Sequence, residues 1–89
     1  MIKIAYSPAF VRAYKKQIKN QTAIQELFSE KIALFLQDPY HPQLRTHQLR
    51  GILKDFYSFS IYYDLRVVFY SASYDEVISE NIGSHDEVY

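Results

Sequence analysis

The chain has 89 residues, 48% hydrophobic and 17% aromatic, with zero formal net charge and no cysteine. That suffices for one small domain, residues 1–89, with a stability on the order of a few kcal/mol. It excludes a disordered chain, a disulfide framework and a cysteine-based zinc site. No run is long enough to span a bilayer. Residues 1–6 are too short and strand-like for a signal peptide, so the cytoplasm is the expected location.

The charge is unevenly placed. Residues 1–54 carry nine Lys or Arg against three acids, and residues 55–89 carry one base against seven acids. A basic first half suits a polyanionic partner, although solvated helix faces are often basic too.

In chain order, residues 1–6 alternate apolar and polar and predict a half-buried strand. Ser7-Pro8 predicts a helix start, a hydroxyl cap followed by proline at the first helical position. Phe10, Tyr14 and Ile18 then form one apolar stripe. Lys15, Lys16 and Lys19 lie off that stripe, with Arg12. Thr22-Ala23-Ile24-Gln25 has the form of a capping box and predicts a second helix. Its buried side would hold Ile24, Leu27, Phe28, Ile32 and Phe35, with Leu34 and Leu36 beside them. It should stop near Gln37, because the residue before Pro39 is pushed out of the helical region. The two helices should form an antiparallel hairpin.

Residues 38–51 show no period. So long an irregular stretch in a small domain points to function. It holds His41, Arg45, His47 and Arg50, and Leu44 and Leu49 could pin it to the core. From Ile52 the chain is strand-like, with Tyr57, Phe59, Ile61 and Tyr63 alternating with polar or amphipathic residues. Asp64 should sit at a tight turn. Residues 66–70 predict a strand, 71–75 a hairpin loop and 76–83 a third strand of an antiparallel meander. The order is β-α-α-β-β-β. That is an α+β domain with a helix hairpin on one face of a mainly antiparallel sheet.

The polar residues that look misplaced carry the chemistry. Arg66 interrupts an apolar strand. By the period of two it shares a face with Asp64, Val68 and Tyr70, opposite Leu65, Val67 and Phe69. It should therefore project from the side without helices, where it can pair with Asp64 or fork onto a phosphate. His85 follows the next strand and should come close to Asp64 and Arg66, and His47 could reach the region from the side. Two imidazoles, a carboxylate, an arginine and the phenol of Tyr89 can cleave RNA without a metal. A base takes the 2′-OH proton, a cation steadies the phosphorane and an acid protonates the leaving oxygen. The two histidines with Asp64 could also ligate a divalent metal, which the nearby Arg66 disfavours. There is no Gly-rich phosphate loop, HExxH pair or nucleophile elbow.

These residues carry a family likeness. Residues 44–51, Leu-Arg-Thr-His-Gln-Leu-Arg-Gly, resemble the L-x-x-H-x-L-x-G segment of bacterial RelE/ParE-superfamily toxins. Residues 64–69, Asp-Leu-Arg-Val-Val-Phe, resemble their strand motif. Residues 82–89, Ile-Gly-Ser-His-Asp-Glu-Val-Tyr, resemble the ending of YafQ-like and related RelE-type members. Residues 6–10 are similar to their strand-to-helix entry. The resemblance implies a RelE-like fold and the toxin of a type II toxin–antitoxin pair. Such toxins cleave mRNA, commonly on the ribosome, and are neutralised by an antitoxin. By the same likeness His47, Asp64 and His85 act in cleavage, Arg66 binds the phosphate, and Tyr89 stacks on or orients the RNA. No cofactor or metal is expected. Lys15, Lys16, Lys19, Arg45, Arg50 and Lys54 would touch RNA backbone. YafQ-like members carry a further histidine on the strand before the aspartate, and this chain has Ser60 there. The gyrase-poisoning ParE branch, or a decayed toxin acting by binding a protein, is the alternative.

Overall fold

The computed structural model describes residues 2–89. The elements are β1 (Lys3–Tyr6), α1 (Pro8–Ile18), α2 (Thr22–Gln37), β2 (His47–Gln48), β3 (Tyr57–Tyr62), β4 (Leu65–Ser73), β5 (Glu76–Gly83) and α3 (His85–Val88). Two 3-10 turns, Pro42–Leu44 and Gly51–Leu53, punctuate the long loop. The sheet order is β1-β5-β4-β3-β2. β1 runs parallel to β5, and every other pairing is antiparallel. The expected α+β architecture holds. The strand expectation for Met1 lies outside the described residues.

α1 begins as its sequence dictates. The Ser7 side chain accepts from the Phe10 N–H at 3.0 Å, and Pro8 occupies the first turn. Phe10 and Ile18 are 2% exposed and turn inward, with Tyr14 half-buried between them. α2 stops at Gln37 with Asp38 in an extended conformation, as Pro39 requires. Its start differs from the expected capping box. The cap position is Gln21, which makes no side-chain capping bond. The Gln25 amide instead donates to the Ile18 and Lys19 carbonyls, closing the end of α1. Tyr14 meets Phe28 edge-on at 5.1 Å near the middle of α1, while Gln25 reaches its end, so the helices run antiparallel.

The core lies between these helices and one face of the sheet. Phe35 is fully buried, stacked on Phe59 at 4.6 Å and edge-on to Phe69 at 5.0 Å. Val67, Ile61, Ile82 and Val77 complete the strand side. Leu44 at 0% and Leu49 at 8% exposure do pin the long loop. That loop is more ordered than its lack of period suggests, because His47 and Gln48 pair with β3 as a sheet edge. β3 begins later than the sequence suggests. Gly51 has φ +69, residues 51–53 form a 3-10 turn, and Ile52 is 99% exposed rather than in a strand.

The second face of the sheet is not bare. Val68 is buried there, and Phe56 meets Tyr70 edge-on at 5.7 Å. The chain then departs from the expected plain strand ending. After Gly83 it turns into α3, whose Ser84 N–H donates to the Glu87 carboxylate at 2.9 Å. The other Glu87 oxygen accepts from the Gln17 amide at 2.9 Å, so α3 is tied to α1. Gly83 does not have a positive φ, so a special backbone bend is not its role. A Cβ there would stand 3.2 Å from Glu87 Cβ, Glu87 Oε1 and Val88 Cγ1. Its role is to let α3 lie against the end of the sheet.

Candidate active site

The tight turn between β3 and β4 comprises Tyr63 and Asp64, as expected for Asp64. Arg66 follows on β4, between Ser60 of β3 and Gly83 of β5 in register. Its neighbours in sequence, Val67 and Phe69, face the helix-side core, so the alternation puts Arg66 on the opposite face. Because β5 ends beside Arg66, the turn into α3 brings His85 to the same place. The His85 backbone N–H donates to Asp64 Oδ1 at 3.3 Å. The same oxygen lies 3.5 Å from Arg66 Nε. That contact leaves Arg66 Nε without a satisfied hydrogen bond, although it is buried. The helical spacing of α3 sets the Tyr89 ring edge-on to the His85 ring at 4.4 Å. Tyr89 also lies beneath the Arg66 guanidinium, 5.9 Å from Cζ to the ring centre. His85 Nδ1 is 3.5 Å from the Asp86 carboxylate.

Asp64, Arg66, His85 and Tyr89 therefore meet. His47 does not touch them. It pairs with Ser58, which shares a face with Ser60 and Arg66. Two strand spacings across and two residues along put its Cα about 12 Å from that of Arg66. Its Nδ1 is 2.9 Å from the Arg45 carbonyl. A carbonyl only accepts, so Nδ1 carries a proton, and in the neutral ring Nε2 presents the lone pair.

The basic residues divide. Arg45 lines a cleft of about 860 Å³ together with Asp64 and Arg66. Lys15, Lys16 and Lys19 are exposed on α1, outside that cleft. Lys16 is near enough to Glu87 to help keep its carboxylate ionised. The larger causes of that downward pKa shift are the Ser84 backbone bond and then the Gln17 bond. Arg50 and Lys54 are exposed on either side of the 3-10 turn at 51–53. The sequence reading missed Lys31, Gln43, Tyr62 and Tyr63, which line the same cleft. Lys31 had no period to betray it, because which face of α2 opens onto the cleft is decided only by packing. Among the described residues no three His, Asp or Glu side chains converge as a metal site. No helix among them is long and apolar enough to cross a membrane.

A helix hairpin on a mostly antiparallel five-stranded sheet is the fold of small bacterial toxins of the RelE type. The chain is similar over 100% of both lengths to a copper-bound variant toxin from Helicobacter pylori, with 27% identity and a TM-score of 0.77. It shares the fold of a YafQ variant from E. coli at 16% identity and a TM-score of 0.74, covering 100% of this chain and 99% of that one. It also shares that of the YoeB dimer from Staphylococcus aureus at 18% identity and a TM-score of 0.75, covering 94% and 97%. No curated protein matches the sequence. Residues 2–89 match the model of the family described as YafQ, bacterial toxin of type II toxin–antitoxin system. The chain belongs to that family, and a toxin of this type implies an antitoxin partner.

Proposed function

We propose that this toxin is an endoribonuclease that cleaves mRNA associated with the ribosome, without a resident metal, and that its antitoxin neutralises it. The observation that carries the reading is Arg66. Its guanidinium is held between Asp64 and the Tyr89 ring, with Nε unsatisfied, beside the imidazole of His85. Nε faces Asp64, and the side chain is 27% exposed, so the outer guanidinium nitrogens can fork onto a phosphate.

In this reading His47 Nε2 takes the proton of the 2′-OH. The 2′-oxygen attacks phosphorus, and the negative charge of the phosphorane falls on Arg66. The P–O5′ bond breaks, and His85 gives the 5′-oxygen its proton. The products are a 2′,3′-cyclic phosphate and a 5′-hydroxyl. Asp64 takes a positioning role in this reading, its Oδ1 accepting from the His85 N–H and facing Arg66. Tyr89 holds the rings of the set in place and offers a face to a base. The Helicobacter pylori relative is described as copper-bound. Among the described residues no three His, Asp or Glu side chains come together as a ligand set.

The roles are tested with purified toxin on mRNA carried by translating ribosomes, mapping 5′ ends by primer extension. Cleavage should persist with a chelator selective for transition metals, which leaves the ribosome's magnesium in place, and should leave cyclic-phosphate ends. A substrate with sulfur in place of the scissile 5′-oxygen needs no acid. It should restore a His85→Ala variant and leave a His47→Ala variant inactive. Equal rescue of both, or of neither, contradicts the assignment. Gyrase-dependent DNA breaks without RNA cleavage would overturn the whole reading.

A further inference from the structure

Among the described residues only two other than glycine have a left-handed backbone, Arg45 at φ 53 and Tyr63 at φ 35. They belong to different segments. Arg45 closes the 3-10 turn at Pro42–Leu44, and Tyr63 makes the turn from β3 to β4. Both line the same 860 Å³ cleft. Such a conformation costs roughly 1–2 kcal/mol for a residue with a Cβ, and strain of this kind gathers at ligand sites.

Three further features of the cleft agree. Tyr63 is 92% exposed and Tyr62 56% exposed, so neither ring is used by the core. Lys31, Arg45 and Arg66 face a single carboxylate, Asp64, so the cleft is net cationic. Lys31 is drawn across it, with Nζ 3.4 Å from Gln43 Oε1. β2 covers the edge of β3 only at Tyr57 and Ser58, which leaves residues 60–62 as one wall.

We propose that this cleft binds the single-stranded RNA adjoining the phosphate on Arg66. A base stacks on Tyr63 with Tyr62 beside it, and the next phosphate lies between Lys31 and Arg45. The left-handed turn is what holds the Tyr63 ring out for stacking. The bases must be unpaired, because a duplex hides their faces. The proposal rests on the ribonuclease reading for the placement of the scissile phosphate, but it is tested by binding rather than by cleavage. The competing occupant is an extended protein segment lying along the β3 edge. The three cations and the continuity with Arg66 favour RNA.

The test is equilibrium binding of a short fluorescent RNA with 2′-O-methyl riboses, which cannot be cleaved, to the full chain over a range of salt. Tyr63→Asn removes the ring while keeping a residue that tolerates the left-handed region. It should weaken binding by about 5-fold or more, the usual loss for one stacked base. Tyr63→Phe should stay within about 2-fold, because the ring remains. Lys31→Gln should reduce the slope of log K against log salt by about 0.7. Melting curves verify that the variants are folded. If folded Tyr63→Asn and Lys31→Gln bind this RNA like wild type, the proposal is overturned. Loss of antitoxin affinity in the same variants would then assign the cleft to protein. If the variants lose RNA binding but the wild type never cleaves, the cleft stands and the ribonuclease reading falls.

Discussion

Gly83→Ala separates the placing of the proposed catalytic set from the stability of the fold. The added methyl meets Glu87 Cβ, Glu87 Oε1 and Val88 Cγ1, all at 3.2 Å. Comfortable carbon contacts lie near 3.5–4.0 Å, so α3 must move outward by about half an ångström. Because α3 pivots at Ser84, the Tyr89 ring at its far end moves at least as far. Overpacking costs typically 1–3 kcal/mol. Here the neighbour is a helix of only four residues at the periphery, which yields easily. The alanine also gains about 0.4–1 kcal/mol by restricting the unfolded chain. The net loss should be about 1 kcal/mol or less, a melting shift of under ~8 °C. Geometry is less forgiving, because a displacement of about 1 Å can cost 100-fold in rate. RNA cleavage should therefore fall by roughly 10- to 100-fold while the protein stays folded. Cleavage rates and thermal melts on the same preparation measure both. A variant that cleaves at the wild-type rate would refute the claim that the seat of α3 sets the site.

Two other predictions concern the supports of that site. The Glu87 carboxyl is held below its ordinary value by the Ser84 backbone bond first and the Gln17 amide second. A depressed carboxyl contributes stability above its unfolded pKa and loses it as pH falls through the folded value. Amide protection at Val88 and Tyr89 should decline in that acid range. Glu87→Gln keeps the cap and should abolish the pH dependence, and protection that is flat with pH in the wild type would contradict this. Phe35→Ala removes a fully buried ring between Phe59 and Phe69. It should cost about 3–5 kcal/mol, most of the stability of so small a domain. A melting shift of only a few degrees would show that the core is organised differently.

The fold was legible where local and tertiary signals agree. Ser7-Pro8 with the Phe10-Tyr14-Ile18 stripe defined α1, and the period of two put Arg66 on the correct face. Local signals failed where a side chain had another use. Thr22 and Gln25 have capping-box spacing, yet Gln25 closes the preceding helix. Ser84-His85-Asp86-Glu87 has the same spacing from its hydroxyl, here to a carboxylate, and is a genuine helix start where the strand pattern suggests only an ending. No local rule separates the two cases, because contacts beyond the segment decide each one. The short strand at His47 was hidden for the same reason, since two residues carry no period and β3 alone recruits them. Asp64, Arg66 and His85 were expected together because sequential antiparallel strands are neighbours. The cleft beside them was not, since Lys31, Gln43 and Tyr63 come from three separate segments.

In the ribonuclease reading the imidazole of His85 performs chemistry on RNA rather than supporting the fold. Its side chain is 56% exposed, so replacing it should leave the core folded. The direct measurement is growth arrest on induction of His85→Ala, with antitoxin affinity and melting temperature measured on the same variant. The expected outcome is no arrest, antitoxin binding and melting close to wild type, and no RNA cleavage. A folded His85→Ala that arrests growth and cleaves RNA as the wild type does would contradict it.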